Sequence, residues 1–499
     1  VSGSVLVSGG LVVGLDGEGE RAVDVRIRDG VVIEVGPDLP VRGEEVVDAS
    51  GCWLIPGLWD KHVHFGQWAR STTWIGLAGT AGPEEVCARV AQALEMRRDD
   101  GRIAVGFGYR SAAWERVGTV AELDAVSGSQ PVVLISGDAH NGWLNSAALE
   151  RLGVAARPDP MKENEWFATL ARLTAMPEQA ATVEEEGAAV GYLASRGLVG
   201  IVDLEFADAF RHWPRRVAAG IRRLRVRAGV YPPQLDEVLA AGWRTGDTLP
   251  GGDGLITMGP LKIITDGSLG TRTAWCCEPY LGLAADDPHA CGVVNVAGDE
   301  LEGLLGRARA AGLALAVHAI GDRANQAALD AFEATGAAGS IEHAQLLRRE
   351  DVPRFSRLGL TASMQPHHLV DDRAMTERWW GDRADRTFLV KSLLDAGATL
   401  ALGSDAPVSP PDPWLGIASA VHRSGDDRPA VQPEESLTAR EALAASVDGR
   451  RISVGGPGDV VLLRTDPLAD HGSPVATAAA LRAMEVVATI CDGALTSQP

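Results

Sequence analysis

Two histidines stand one residue apart in His62-Val63-His64, near the end of the run LIPGLWDKHVHF. On an extended strand, side chains at i and i+2 point the same way, with about 6.6 Å between their Cα atoms. Both imidazoles can then converge on one cation. Such a pair alone is a weak signal, and its weight comes from the residues that accompany it. His318 closes the apolar run LALAVHAIGD, His343 closes SIEHAQ, Asp405 closes TLALGSDAP, and Lys262 lies within PLKIITDG. Each stands at or near the C-terminal end of a short apolar run that is followed by Gly, Pro or a polar turn. Four histidines and a carboxylate recurring in this position are hard to explain as core packing.

The chemistry open to such a set is metal-assisted hydrolysis. A bound divalent metal lowers the pKa of its water to roughly 7, so hydroxide forms at neutral pH without a strong protein base. A carboxylate such as Asp405 beside it can take the proton and later give it to a leaving amine. Imidazole and carboxylate donors without thiolate suit zinc, with manganese, iron or cobalt as alternatives. Lys262 is the odd member. Burial of an ammonium group penalises its charged form and lowers its pKa. The neutral amine can take up carbon dioxide as a carbamate, an anionic oxygen ligand able to bridge two metals. An ion pair with Asp266, four residues on along the strand, and a substrate-binding ammonium are the other readings of Lys262.

The elements that must position these residues alternate in period. Eight short apolar runs, LIPGLWDKHVHF, GLVGIVDLE, RVRAGVY, PLKIITDG, LALAVHAIGD, SIEHAQ, LTASMQP and TLALGSDAP, are separated by helix-like stretches such as DELEGLLGRARAAG, RANQAALDAFEATG and RTFLVKSLLDAG. This alternation predicts an α/β fold, a (β/α)8 barrel in which the C-terminal strand ends share one face and build the site. A doubly wound sheet is the competing α/β answer, and no GxGxxG follows a first strand to support it. The first ~50 residues and the far C-terminus instead read as short strands. A small β-sandwich domain is therefore expected from residues 1–53 and 447–499, with the barrel over 54–446. Asp29-Gly30 marks a hairpin turn between two alternating runs. Residues 66–185 are too many for one barrel loop. They read as an insertion, a lid or subdomain over the barrel mouth, with apolar runs RIAVGFGYR and PVVLISGDA of its own.

Composition narrows the class. The 499 residues carry 46 basic and 67 acidic side chains, a net charge of −21. Such a field repels phosphate, so neither nucleic acid nor an anionic membrane is an expected partner; a small-molecule substrate is. Apolar residues make up 45 %, enough for a sizeable core. The six cysteines show no CxxC spacing, which argues for reduced thiols and a cytoplasmic setting. No apolar run approaches the ~18–20 residues of a membrane span. The opening VSGSVLVSGGLVV lacks a basic segment and alternates like a strand, so it reads as structure and not as a signal peptide.

The motifs LIPGLWDKHVHFG, DAHNGWLNSAALE, PLKIITDGSLGTRTAW, VHAIGDRANQAALDAFE, IEHAQLL, SMQPHHLVDD and SLLDAGATLALGSDAPVSPPDPWLGIASAVHR closely resemble the amidohydrolase superfamily. Within it they are similar to amidohydrolase family 3, the branch that includes N-substituted formamide deformylases. The resemblance implies His62 and His64 as the ligands of strand one and Lys262 as a carbamylated bridge in a binuclear centre. It implies His318 and His343 as ligands of strands five and six, and Asp405 as both ligand and catalytic acid/base. The activity it implies is cleavage of a C–N bond in an amide-like substrate, of N-acyl or N-formyl type. Lactone, carbamate or cyclic-amide hydrolysis, or deamination of a heterocycle, are alternatives at the same site, and a non-catalytic binding protein is a rival of another class. The inserted segment with His140 and Asn145 resembles the family's insertion near the substrate pocket. Position adds Arg272 as a partner for a substrate carboxylate or carbonyl and His368 as an oxyanion donor, with His367 facing away. Trp68, Tyr109 and Trp114 are candidates for an apolar wall. The sequence departs from the family after LTAREALAAS, where SVDGRRISVGGPGDVVLL reaches the returning β segment quickly. This bears on the packing of the last barrel helix and on subunit contacts, a homodimer being the candidate assembly.

Overall fold

The computed structural model describes residues 3–15, 21–97, 101–111, 114–206, 208–284, 286–426 and 428–497. Its central sheet has eight strands: β1 (Leu58–Val63), β2 (Leu198–Asp203), β3 (Arg225–Val230), β4 (Ile256–Ile264), β5 (Leu315–Ala319), β6 (Gly339–His343), β7 (Thr361–Met364) and β8 (Thr399–Leu402). They run in chain order and pair in parallel throughout. β2 and β5 are buried along their whole length, as strands covered on both faces must be. The sheet closes on itself just beyond β8: Asp405 N donates to His62 O at 2.7 Å, His64 N donates to Ala406 O at 2.8 Å, and Val63 bridges Ala406. The molecule is thus a (β/α)8 barrel, with all eight strands in the expected runs.

The helices Gly298–Ala311 and Asp322–Thr335 stop where Gly312 and Gly336 turn left-handed, at φ 75° and 61°. The third expected helix is shorter than its pattern. In RTFLVKSLLDAG only Val390–Asp395 is helical. Phe388 N is taken by Gln345 O at 2.7 Å and Phe388 O by the Arg423 guanidinium at 3.1 Å. Tertiary partners thus claim the backbone groups that an earlier helical turn would need.

Both chain ends enter one mixed eight-stranded sheet with its own apolar core, including Val7, Val25, Ile27, Leu54, Leu462 and Ile490. Asp29 and Gly30 make the expected tight hairpin, both at positive φ. The strand Trp53–Pro56 still belongs to this sheet, paired with Val460–Leu463. The chain passes to the barrel at Gly57, where a Cβ would lie 2.3 Å from the Val199 side chain. Between β1 and β2 lies a third, five-stranded sheet, whose strands Ala104–Tyr109 and Val132–Ser136 come from the two expected apolar runs. It is tied to the barrel by Arg110, 3.6 Å from Asp371 and 3.5 Å from Asp372, and by Asp138, which packs against Gly270. Among the described residues, no helix is long and apolar enough to cross a membrane.

Asp448 receives both Lys61 of β1 and Arg227 of β3, whose guanidinium lies 4.4 Å from the Trp59 ring centroid. Burial alone would raise the Asp448 carboxyl; Lys61 and Arg227 outweigh it and hold it below the usual range. Asp448→Ala leaves Lys61, 16 % exposed, without its counter-ion. We expect a loss of about 2 kcal/mol, after discounting for partial solvent screening. A denaturant midpoint equal to that of the wild type would refute this assignment.

Candidate metal centre

All six residues singled out as ligands are buried, and their strands deliver them to the C-terminal rim. The pairing of β1 with β2 shifts register between Asp60 and Val63, and His62 and His64 follow at the strand's C-terminal end. Along β6 the paired register sets Glu342 beside His318. Glu342 therefore faces inward, and strict alternation would turn His343 outward. His343 instead adopts φ 71° and brings its ring back into the barrel. Asp405, beyond β8, does the same at φ 60°. For non-glycine residues such a backbone costs on the order of 1–3 kcal/mol, and it persists because neighbours hold it.

Among His62, His343 and Asp405, one donor atom from each lies within 4.8 Å of the others. Asp405 Oδ1 is 3.4 Å from His62 Nε2 and 3.3 Å from His64 Nε2. Lys262 Nζ is 3.3 Å from His62 Nε2. His318 joins through its ring, 4.5 Å from that of His343, with Nε2 turned toward Gly267 O at 3.3 Å. Burial, with the charge of Lys262 adding to it, lowers His62 to about 4. Its ring is therefore neutral: Nδ1–H donates to Glu342 Oε2 at 2.8 Å, and the Nε2 lone pair faces the cavity. Burial also pushes His343 well below its usual value. Burial lowers Lys262 to about 8, against the opposing charges of Glu342 and Asp405. For Asp405 burial works toward the neutral acid, but His62, His64 and His343 outweigh it and hold the carboxyl well below its ordinary range.

This donor set fits a divalent cation. His64 Nδ1 and His343 Nδ1 are buried polar atoms without a protein hydrogen-bond partner. Such atoms are costly in a sealed site unless another group satisfies them. Neutral imidazoles and an ionised carboxylate are also the protonation states that bind metal without first losing a proton.

Of the three readings of Lys262, the ion pair with Asp266 is not what the structure shows: Lys262 Nζ lies against His62 instead. Asp266 lies past the end of β4 at Ile264, so strand alternation no longer sets its direction. Its carboxylate accepts from the N–H groups of Ile320 (3.0 Å), Gly321 (2.8 Å) and Trp275 (2.8 Å). His368 stacks on His343 with ring centroids 6.1 Å apart, and its Nε2 is 3.8 Å from Asp405 Oδ2. His367 points the other way, to Ser419 Oγ at 3.1 Å. His140 pairs with Glu163 at 3.2 Å. Burial opposes its charge, yet Glu163, Asp138 and the more distant Asp405 together raise its pKa.

The remaining candidates stand outside this group. Arg272 lies over Trp379, its guanidinium carbon 4.8 Å from the ring centroid. Trp114 stacks on Tyr109 at 5.4 Å and donates to Thr80 O, inside the core of the insertion. Trp68 packs between Phe65 and Tyr192 on the barrel flank. Asn145 is an N-cap: its Oδ1 accepts from Val132 N and Ala148 N, both at 2.9 Å. Two contributors went unread in the sequence. Asp60 accepts from His62 N (3.1 Å) and Ser404 N (2.9 Å), and its place two residues before His62 was the available signal. Glu342 adjoins His343, where alternation argued against a shared face.

Fold and site together define a barrel hydrolase that works with a divalent metal. The amidohydrolase family model matches residues 45–496, and the chain belongs to that family of metal-dependent hydrolases acting on carbon–nitrogen bonds. It is 28 % identical to protein YtcJ of Bacillus subtilis, covering 97 % of this chain and 98 % of that one. It is 26 % identical to the N-substituted formamide deformylase of Arthrobacter pascens, covering 96 % of each. The solved structure of an uncharacterized metal-dependent hydrolase from Pyrococcus horikoshii superposes with a TM-score of 0.79 at 27 % identity, covering 94 % of this chain and 98 % of that one.

Glu342 fixes the His62 ring from behind, so Glu342→Gln should weaken divalent-metal binding by about 10- to 100-fold while the fold is kept. Competition with a chelator measures this, and unchanged affinity would remove the orienting role.

Proposed function

We propose that the chain hydrolyses an amide-like substrate of N-acyl or N-formyl type, with His62, His64, His318, His343 and Asp405 holding one or two zinc ions. A divalent ion bound there supplies Lewis acidity, acidifying water and polarising a carbonyl oxygen. The observation that carries the reading is the convergence of Asp405, buried, with His62 and His343 at the barrel rim, its Oδ1 3.4 Å from His62 Nε2 and 3.3 Å from His64 Nε2. Asp405 accepts a proton from the attacking water as the oxygen joins the carbonyl carbon. When the C–N bond breaks, Asp405 returns that proton to the departing nitrogen, leaving a carboxylic acid and an amine. His368, with Nε2 3.8 Å from Asp405 Oδ2, donates toward the carbonyl oxygen as charge develops there. Arg272, lying over Trp379, pairs with a carboxylate or carbonyl of the substrate. The similarity to a formamide deformylase supports the choice of a C–N bond.

Lys262, lowered to about 8, offers a sizeable fraction of neutral amine near that pH. Its nitrogen adds to carbon dioxide and releases one proton, giving an N-carboxylate that serves as an oxygen ligand. Carbon NMR with isotope-labelled bicarbonate should show a carbamate signal that Lys262→Ala lacks, and a wild-type protein without that signal would refute it.

Asp405→Asn and His62→Ala should each abolish turnover of an N-formyl or N-acyl amide, with circular dichroism unchanged. Turnover at the wild-type level by either variant would sink the assignment. Stripping with a chelator should remove activity, and zinc or manganese with bicarbonate should restore it.

A further inference from the structure

Few large aromatic side chains are exposed among the described residues: Phe167, Tyr192 and Phe206. Tyr192 packs on Trp68, away from the rim, but both phenylalanines lie against histidines of the site region. Phe206 is 50 % exposed, three residues beyond the end of β2. Its ring stacks on His64, centroids 5.1 Å apart with 13° between planes, and on Tyr231 at 5.3 Å and 30°. Phe167 meets His140 edge-on at 5.2 Å.

The frame under Phe206 is rigid. Leu204 N donates to Val63 O at 2.7 Å, and the Tyr231 hydroxyl donates to Leu204 O at 2.8 Å. Phe206 N donates to Glu205 Oε1 at 3.0 Å, and Glu205 is fixed in turn by Gln67 N and Nε2 at 2.8 and 3.0 Å. A half-bare phenyl ring held this firmly beside a metal-site histidine is preorganised apolar surface. Covering it releases water, and little conformational freedom remains to be lost.

We propose that Phe206 is a substrate-contact residue: its open half receives an aromatic or bulky apolar group carried next to the scissile C–N bond. The proposal rests on the amide-hydrolase reading for the identity of that bond. Its geometric basis is independent: a group reacting beside Asp405, whose Oδ1 lies 3.3 Å from His64 Nε2, comes within reach of the ring stacked on His64. Tyr231 extends the same shelf, and Phe167 adds a second apolar ring beside His140.

The test uses the metal-loaded protein and two pairs of probes: N-benzyl against N-methyl acetamide, and the phenylacetyl against the acetyl amide of one amine. Calorimetric binding and kcat/KM are measured for the wild type, Phe206→Ala and Phe206→Tyr. The wild type should favour the aryl member of at least one pair by about tenfold or more, the scale set by burying a ring face. Phe206→Ala should lose that preference while binding of the small member changes little, and Phe206→Tyr should keep it. Metal affinity, read by chelator competition, should be unchanged in Phe206→Ala. An equal preference in wild type and Phe206→Ala overturns the proposal. So does a loss of metal affinity with selectivity intact, which makes the ring a support for His64 alone. A changed oligomeric state with intact selectivity also overturns it, since the ring then serves a second copy of the chain. Selective binding without hydrolysis of any probe leaves the shelf standing and removes the amide reading instead.

Discussion

Asp405 keeps its negative charge inside a wall of apolar strands, where burial alone would favour the protonated acid. The polar ring nitrogens of His62 and His64, 3.4 and 3.3 Å from its Oδ1, offset that preference. Burial keeps His62 and His343 neutral, so their lone pairs remain available, while the carboxylate supplies the charge a cation needs. Lys262 belongs to the same balance, its ammonium weakened by burial and steadied by Glu342 and Asp405. A site with this many buried donors is poised for a cation, and the rest of the barrel holds the donors in place against their tendency to relax apart.

The holding is done by backbone as much as by side chains. Closure of the barrel runs through the site itself: Asp405 N and His64 N complete the hydrogen bonds between the ends of β8 and β1. Asp60 adds a staple between the same two segments. Gly403 makes the approach possible, because a Cβ there would lie 2.8 Å from His62 N. Left-handed turns at His343 and Asp405 then deliver two side chains that regular strands would send elsewhere. The segment that seals the barrel is thus also the one that carries Asp405.

Much of this was legible in the sequence, and the boundary of legibility follows physical lines. Strand and helix alternation located the eight strands because parallel buried strands are short, apolar and separated by amphipathic helices. The strand-end rule placed the histidines, since it depends only on chain direction. It failed to assign Asp266 because the strand stops before that residue and its carboxylate finds backbone donors. It missed Glu342 because the positive φ of His343 breaks the two-residue period. Asn145 and Trp114 belong to the insertion's own caps and core, roles that residue type alone does not separate from substrate contact. Phe206 left no signal, since nothing in one sequence tells an exposed phenyl ring from a buried one.

The shared terminal sheet bears on how the protein is made. Trp53–Pro56, the segment leading directly into the first barrel strand, pairs with Val460–Leu463, some four hundred residues later. Arg225 of β3 is likewise held by Asp459 at 2.7 Å. During synthesis Trp53–Pro56 emerges early, yet its sheet neighbour leaves the ribosome only some four hundred residues later. Contacts this distant in sequence are slow to form. The terminal sheet must therefore wait with Trp53–Pro56 unpaired on that flank long after the strands of the barrel have been made.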